Sequence, residues 1–338
     1  MEAPDFFFNS AGRLRSLWRL AVFTVAFITA MLALWLAVLL GLPLLLPKPL
    51  YTQLVESNWG FVLQSVIIFF PALLAGWACC SGLEDLPLRS LGFAPHDGWA
   101  RDLLVGSLVG AAGIGLALAL GAAAGSYRVE KNAGASLQEI GLTLAASSVV
   151  LMLGAAAEEM LFRGYALQTL LRSWPVWLAL LPTSIAFALV HLDNPNVAPG
   201  FTLANTVLAG VWLAVGYWRT RSLWFPLGLH WGWNFAMGPL IGSPVSGITE
   251  LAAAPPLRTF DAGPAWLGGG AYGIEGGAIC TLVMAALAVF TWRTRLVKAT
   301  YEMRQFTDGE SPNPRQMPFL PDGRNSRDGQ DKETGRAG

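Results

Sequence analysis

Residues 140–165 read IGLTLAASSVVLMLGAAAEEMLFRGY. An apolar run close to the roughly 20 residues that cross about 30 Å of hydrocarbon passes without a break into Glu158, Glu159, Arg163 and Gly164. An Asp, Lys or Arg at the centre of a membrane helix costs about 2.5–3.5 kcal/mol on insertion scales, so ionisable groups inside such a run need a partner or a task. Glu159 and Arg163 are four residues apart, share a helix face and are expected to form an ion pair. Glu158 points about 100° away from that face and is left free.

Similar apolar runs flank this one at residues 17–46, 59–80, 102–124, 176–192, 200–218, 224–241 and 273–292. With 140–162 they predict an all-α fold, a polytopic transmembrane helical bundle of about eight spans. Composition agrees: of 338 residues, 54% are hydrophobic and 13% charged, where a soluble domain carries about a quarter. The formal charge of zero excludes the surplus of Lys and Arg that a nucleic-acid binder needs. Cys79, Cys80 and Cys280 lie in apolar runs and form neither a disulfide framework nor a CxxC zinc site. The first run is too long for a signal peptide and has no small-residue cleavage site, so it reads as a retained span. Arg13, Arg15, Arg89 and Arg101, with most other loop cations, fall on one side, and Lys48, Arg128, Lys131 and Arg258 on the other. That bias predicts an integral membrane protein with both termini cytoplasmic.

Polar groups recur in two further runs. In AFALVHLDNPN (186–196), Phe187 stands one helical turn before His191, and in PLGLHWGWNF (226–235), His230 stands one turn before Asn234. A bundle that gathers these faces holds a carboxylate, two imidazoles and a carboxamide around one cavity. Each feature alone has a plainer reading. EExxxR is usually a solvated face, His191 an interfacial residue, and His230 beside Trp231 and Trp233 part of an aromatic belt. His96, in the polar loop FAPHDGW, reads as solvated. Against the plain readings, two of the three histidines and the glutamate pair all fall at the edges or interiors of apolar spans.

A carboxylate beside an imidazole takes a proton from water, a role that fits Glu158 with His191. Hydrogen-bond donors facing the same cavity stabilise a tetrahedral oxyanion, a role that fits His230 and Asn234. The same atoms admit a metal reading, because two histidines and a glutamate make a catalytic zinc set; those ligands are Glu158, His191 and His230. Spacing does not decide between the two, although HExxH is absent. Serine or cysteine nucleophiles have little support, since no GxSxG occurs and the thiols sit in apolar surroundings.

At these positions the chain resembles the CAAX protease and bacteriocin-processing (CPBP) family of intramembrane proteases, which includes the type II CAAX prenyl endopeptidases. Its first motif, EExxxR extended to FRG and an aromatic residue, appears as Glu158 to Tyr165. Its second, FxxxH, runs from Phe187 to His191, and its third, HxxxN, from His230 to Asn234. The resemblance spans about residues 140–240. It implies an endopeptidase that cuts a peptide bond near the membrane surface, with Glu158 and His191 as the water-activating pair. It further implies His230 and Asn234 as oxyanion stabilisers and Glu159 with Arg163 as structural support. The family has been described both as metalloproteases and as metal-free glutamate enzymes. No cofactor is favoured here, because Asn234 is a good donor and a poor zinc ligand, with a zinc-dependent variant as the alternative.

The expected partners are membrane lipid and a peptide or protein substrate, prenylated in eukaryotic members, with no nucleic acid. The compact loops fit a prokaryotic plasma membrane. The expected organisation is 1–139 as transmembrane spans without an assigned role, 140–241 as the catalytic core, 242–301 as an external loop and last span, and 302–338 as a disordered polar tail. The rival readings are a transporter using the same residues as an ion relay, and a non-catalytic immunity or scaffold protein.

Overall fold

The helix that carries the glutamate pair starts where its chemistry says it should. Ser136 accepts a hydrogen bond from the Glu139 N–H at 3.2 Å, and the Glu139 carboxylate accepts from the Ser136 N–H at 2.8 Å, a reciprocal capping box ahead of the apolar run. The computed structural model describes residues 6–9, 12–198 and 200–307. Along them run α1 (Ser16–Leu45), α2 (Lys48–Glu56), α3 (Asn58–Leu83), α4 (Trp99–Ala123), α5 (Leu137–Glu159), α6 (Leu167–Leu171) and α7 (Val176–Leu189). Then follow α8 (Phe201–Thr220), α9 (Trp224–Phe235), α10 (Ala265–Gly268), α11 (Ala278–Arg293) and α12 (Tyr301–Thr307).

The fold is an all-α polytopic bundle. Five helical stretches are long and apolar enough to cross a membrane: α1, most of α3, α4, the continuous run Leu137–Leu171 and α8. The other three runs hold α7, α9 and α11, which are shorter. Two departures from the α-helix adjoin the polar motifs. Met160–Ala166 forms a π-helical turn directly after Glu159, with Gly164 at ψ −117°, and Ala236–Leu240 forms another directly after α9. Such turns are rare and occur often at functional sites.

The tightest helix pair is α4 against α9. Gly106 and Gly110 on α4 face Gly228 and Gly232 on α9, and a methyl group built on Gly110 would lie 2.2 Å from the Leu229 carbonyl oxygen. On the other side, a methyl on Gly228 would lie 2.2 Å from the Leu103 oxygen. Paired small residues let backbones touch where lipid supplies no hydrophobic drive for helix association. Around this pair α8 packs on α7 and α11, and α3 packs on α1 and α5.

Several expectations are corrected. The 242–272 stretch is not loop throughout: strand β2 (Leu257–Asp261) pairs antiparallel with β1 (Tyr127–Lys131), from Tyr127 opposite Asp261 to Lys131 opposite Leu257. Alternating residues in LRTFD and YRVEK satisfy each other's backbone, a pairing that a scan for apolar runs passes over. His96 is buried rather than solvated, with Nε2 at 3.0 Å from the Ser222 hydroxyl. Arg19 and Arg172 are buried too, where they join Glu84. Of the expected tail, residues 302–307 belong to α12, whose Met303 is buried, and 308–338 lie outside the described residues.

Candidate active site

Three chain segments meet at the site. α5 delivers Glu158 and Glu159 at its last turn, the end of α7 delivers His191, and α9 delivers His230 and Asn234. Glu159 and Arg163 are fully buried and paired, with Arg163 Nη1 at 3.2 Å from Glu159 Oε1. The same carboxylate oxygen lies 2.9 Å from His230 Nδ1, so Glu159 ties the first motif to the third. Arg163 also donates from Nη2 to the Gly210 carbonyl at 3.2 Å. That carbonyl lies where α8 comes closest to α7, because a methyl on Gly210 would meet the Ser184 Cα at 2.8 Å.

Phe187 sits at the hub. Its ring lies under the Arg163 guanidinium at 4.5 Å, and its centroid is 4.6 Å from the His191 ring and 6.0 Å from the His230 ring. The cation–π contact and the two ring contacts hold three of the motif side chains against one apolar surface.

Glu158 faces the other way, as the helical offset requires, into a cavity of about 760 Å³. His191 Nδ1 lies 2.6 Å from the Phe187 carbonyl oxygen, which can only accept, so Nδ1 carries a proton and Nε2 is turned to the cavity. That Nε2 is 4.0 Å from Glu158 Oε2, and His230 Nε2 is 3.7 Å from the same oxygen. Glu158 Oε2 is buried and has no hydrogen-bond partner in the protein. Asn234 lines the same cavity one turn beyond His230. The structure thus brings Glu158, Phe187, His191, His230 and Asn234 to the cavity and keeps Glu159 and Arg163 behind it.

The atoms of the zinc set expected as an alternative stand wider apart than the ligands of a bound ion. Bond lengths near 2.0–2.1 Å and tetrahedral angles put ligand atoms about 3.3 Å apart, less than the 3.7 and 4.0 Å found here. Among the described residues no group of three His, Cys, Asp or Glu side chains is disposed to hold a metal ion.

The cavity also has walls that the motifs did not reveal. Phe27 and Met31 of α1 and Ile68 of α3 supply apolar lining, and residues between Val245 and Leu251 line the cavity too. Glu275 is a further lining residue, accepting from Trp233 Nε1 at 2.9 Å and from the Ser246 N–H at 2.7 Å. Its sequence signal is an acid in GIEGGAIC at the edge of the last apolar run, a weak one because no second polar residue stands at helical spacing. The glycine face of α4 is legible only as GxxxG, which says nothing of its partner.

No curated protein and no solved structure matches the chain. Residues 140–236 match the type II CAAX prenyl endopeptidase Rce1-like family, and that segment contains all three motifs, whereas Glu275, the Val245–Leu251 segment and the lining residues of α1 and α3 lie outside it. By this segment, under a third of its length, the chain is similar to the Rce1-like type II CAAX prenyl endopeptidases, a protease family, and its long apolar helices mark an integral membrane protein.

Proposed function

We propose that the protein hydrolyses a peptide bond near the membrane surface by a water molecule that Glu158 and His191 activate, without metal. The observation that carries this reading is the buried, unpartnered Glu158 Oε2 facing two imidazole Nε2 atoms whose Nδ1 atoms are both engaged. A water held there donates one proton to Glu158 and the other to His191 Nε2. Its oxygen attacks the scissile carbonyl as the first proton passes to the Glu158 carboxylate. The oxyanion accepts from His230 Nε2–H and Asn234 Nδ2–H, which lie on one face of α9. Glu158 then returns its proton to the leaving amine, the C–N bond breaks, and the site regains its starting charge.

Glu159 gives His230 this role. With Nδ1–H held by Glu159, a ring carrying a second proton on Nε2 balances Glu158, as Arg163 balances Glu159, so the buried set is neutral when loaded. The apolar lining that includes Phe27, Met31 and Ile68 suits a substrate that carries a lipid group, in keeping with the prenyl endopeptidase family. The bias of loop cations favours both termini on the cytoplasmic side, and the compact loops fit a prokaryotic plasma membrane.

The test uses protein reconstituted in nanodiscs and a farnesylated CAAX peptide carrying a fluorophore and quencher, backed by a proteomic comparison of cleaved membrane peptides. Glu158→Ala and His191→Ala each abolish cleavage while the unfolding temperature stays within a few degrees of the parent, and cleavage survives a zinc chelator. Full turnover in either variant overturns the mechanism. Loss of turnover on chelation, with zinc near one per chain, overturns its metal-free form.

A further inference from the structure

We infer that Glu275, outside the matched segment, is a positioning residue that sets the distance between the two halves of the candidate site. Its two carboxylate oxygens serve different segments. Oε1 accepts from the indole Nε1–H of Trp233 at 2.9 Å. Trp233 lies between His230 and Asn234 on α9, is buried, and packs edge-on against Trp212 with centroids 5.7 Å apart. Oε2 accepts from both the backbone N–H of Ser246, at 2.7 Å, and its hydroxyl, at 2.9 Å.

Ser246 leads to the other half. Its carbonyl accepts from Asn194 Nδ2 at 3.1 Å, and the Asn194 N–H bonds the His191 carbonyl at 3.2 Å. One carboxylate is therefore joined by short chains of hydrogen bonds to the His191 turn on one side and to the His230–Asn234 face on the other. Within the three motifs themselves, the two halves meet through the Phe187 ring, which touches both the His191 and the His230 imidazole.

Two features show that the structure is arranged around this bracket. Ser246 has φ 48°, a left-handed conformation that a non-glycine residue holds only when its surroundings impose it. Gly247 beside it, at φ 84°, comes so close to the 191–198 turn that a methyl group there would lie 2.0 Å from the Pro195 oxygen. Glu275 is in turn held from behind. Asn205, fully buried, donates to the Glu275 and Gly277 carbonyls at 2.7 and 2.9 Å and accepts from Thr281 at 2.6 Å.

The role rests on the proteolytic reading above, and the experiment separates the two. Full-length Glu275→Ala and Glu275→Gln are compared with the parent and Glu158→Ala in nanodiscs. One readout is hydrogen–deuterium exchange of the 191–198 and 243–248 amides, and the other is cleavage of the farnesylated CAAX probe. Glu275→Ala speeds exchange at least tenfold in both segments, with the α4 and α8 amides unchanged. It lowers kcat by about 10²-fold, the effect of an ångström-scale misplacement, and changes KM less than threefold. Glu275→Gln keeps one acceptor oxygen and recovers kcat to within about tenfold of the parent. Unchanged exchange in the two segments overturns the bracket, whatever the activity, and so does a loss of cleavage that matches a general rise in exchange. A parent that cleaves no probe and no membrane peptide sinks the proteolytic reading, while the exchange result still decides whether Glu275 joins the two segments.

Discussion

Glu159 holds two partners with one oxygen, and its pairing with Arg163 is fully buried. Removing one member of a buried ion pair leaves an uncompensated charge and costs about 3–5 kcal/mol. Glu159→Gln should therefore lower stability by about that amount in thermal unfolding of the detergent-solubilised protein. The double variant Glu159→Leu with Arg163→Leu removes both charges and should recover much of the stability, because an apolar pair replaces a buried ionic one at little net cost. Activity should not return with it, since His230 Nδ1 has lost its acceptor. Recovery of both together would mean that the carboxylate serves the fold alone.

At the scale of elements, the site is held by what its helices touch. α9 carries His230 and Asn234, and backbone contact with α4 through Gly106, Gly110, Gly228 and Gly232 sets its depth and tilt. Gly110→Val places a branched side chain where a carbonyl oxygen sits 2.2 Å from the first carbon, so the helices must part. Cleavage should fall by about 10²-fold and the unfolding temperature should drop. Gly115→Val on the same helix, where a methyl meets nothing within 4 Å, should leave both nearly unchanged. Equal effects at the two positions would remove the case for α4 as the support of α9. The π turn after Glu159 belongs to the same scale, because it widens the helix where Arg163 must turn inward towards Gly210.

At the scale of the whole molecule, a second buried ionic cluster joins the periphery to the core. Glu84, one residue beyond α3, pairs with Arg19 of α1 at 2.6 Å and with Arg172 just past α6, and accepts from Thr169. α1 also packs on α3, and its Phe23 meets Tyr165 with centroids 5.4 Å apart, whereas Leu44 and Leu45 at its far end are 86% and 79% exposed. Because Phe27 and Met31 of α1 border the cavity, this cluster fixes one wall of the site from a distance. Glu84→Ala strands two buried guanidinium groups and should destabilise by about 3–5 kcal/mol. Amides of α1 should lose exchange protection before those of α4 and α9. Uniform loss across all helices would show that α1 does not detach as a unit.

The apolar runs and the three motifs could be read directly from the amino-acid sequence, because both are local. A run of some 20 apolar residues has few fates other than a membrane helix, and four-residue spacing places Glu159 with Arg163, Phe187 with His191, and His230 with Asn234 whatever surrounds them. The same local logic left Glu158 free, and the structure turns it into the cavity. Contacts between distant segments were beyond such reading. Nothing near Glu159 indicates that it reaches His230, 71 residues away, and nothing near Glu275 points to Trp233 or Ser246. His96 looks like a solvated loop residue, yet Ser222, supplied by a segment remote in the chain, holds it buried, as Glu84 does Arg19 and Arg172. The ribbon of β1 with β2 escaped for the same reason, since each strand is short and finds its partner only across the fold. Burial and pairing of a polar group depend on which element folds over it, and that is decided by packing between helices far apart in sequence.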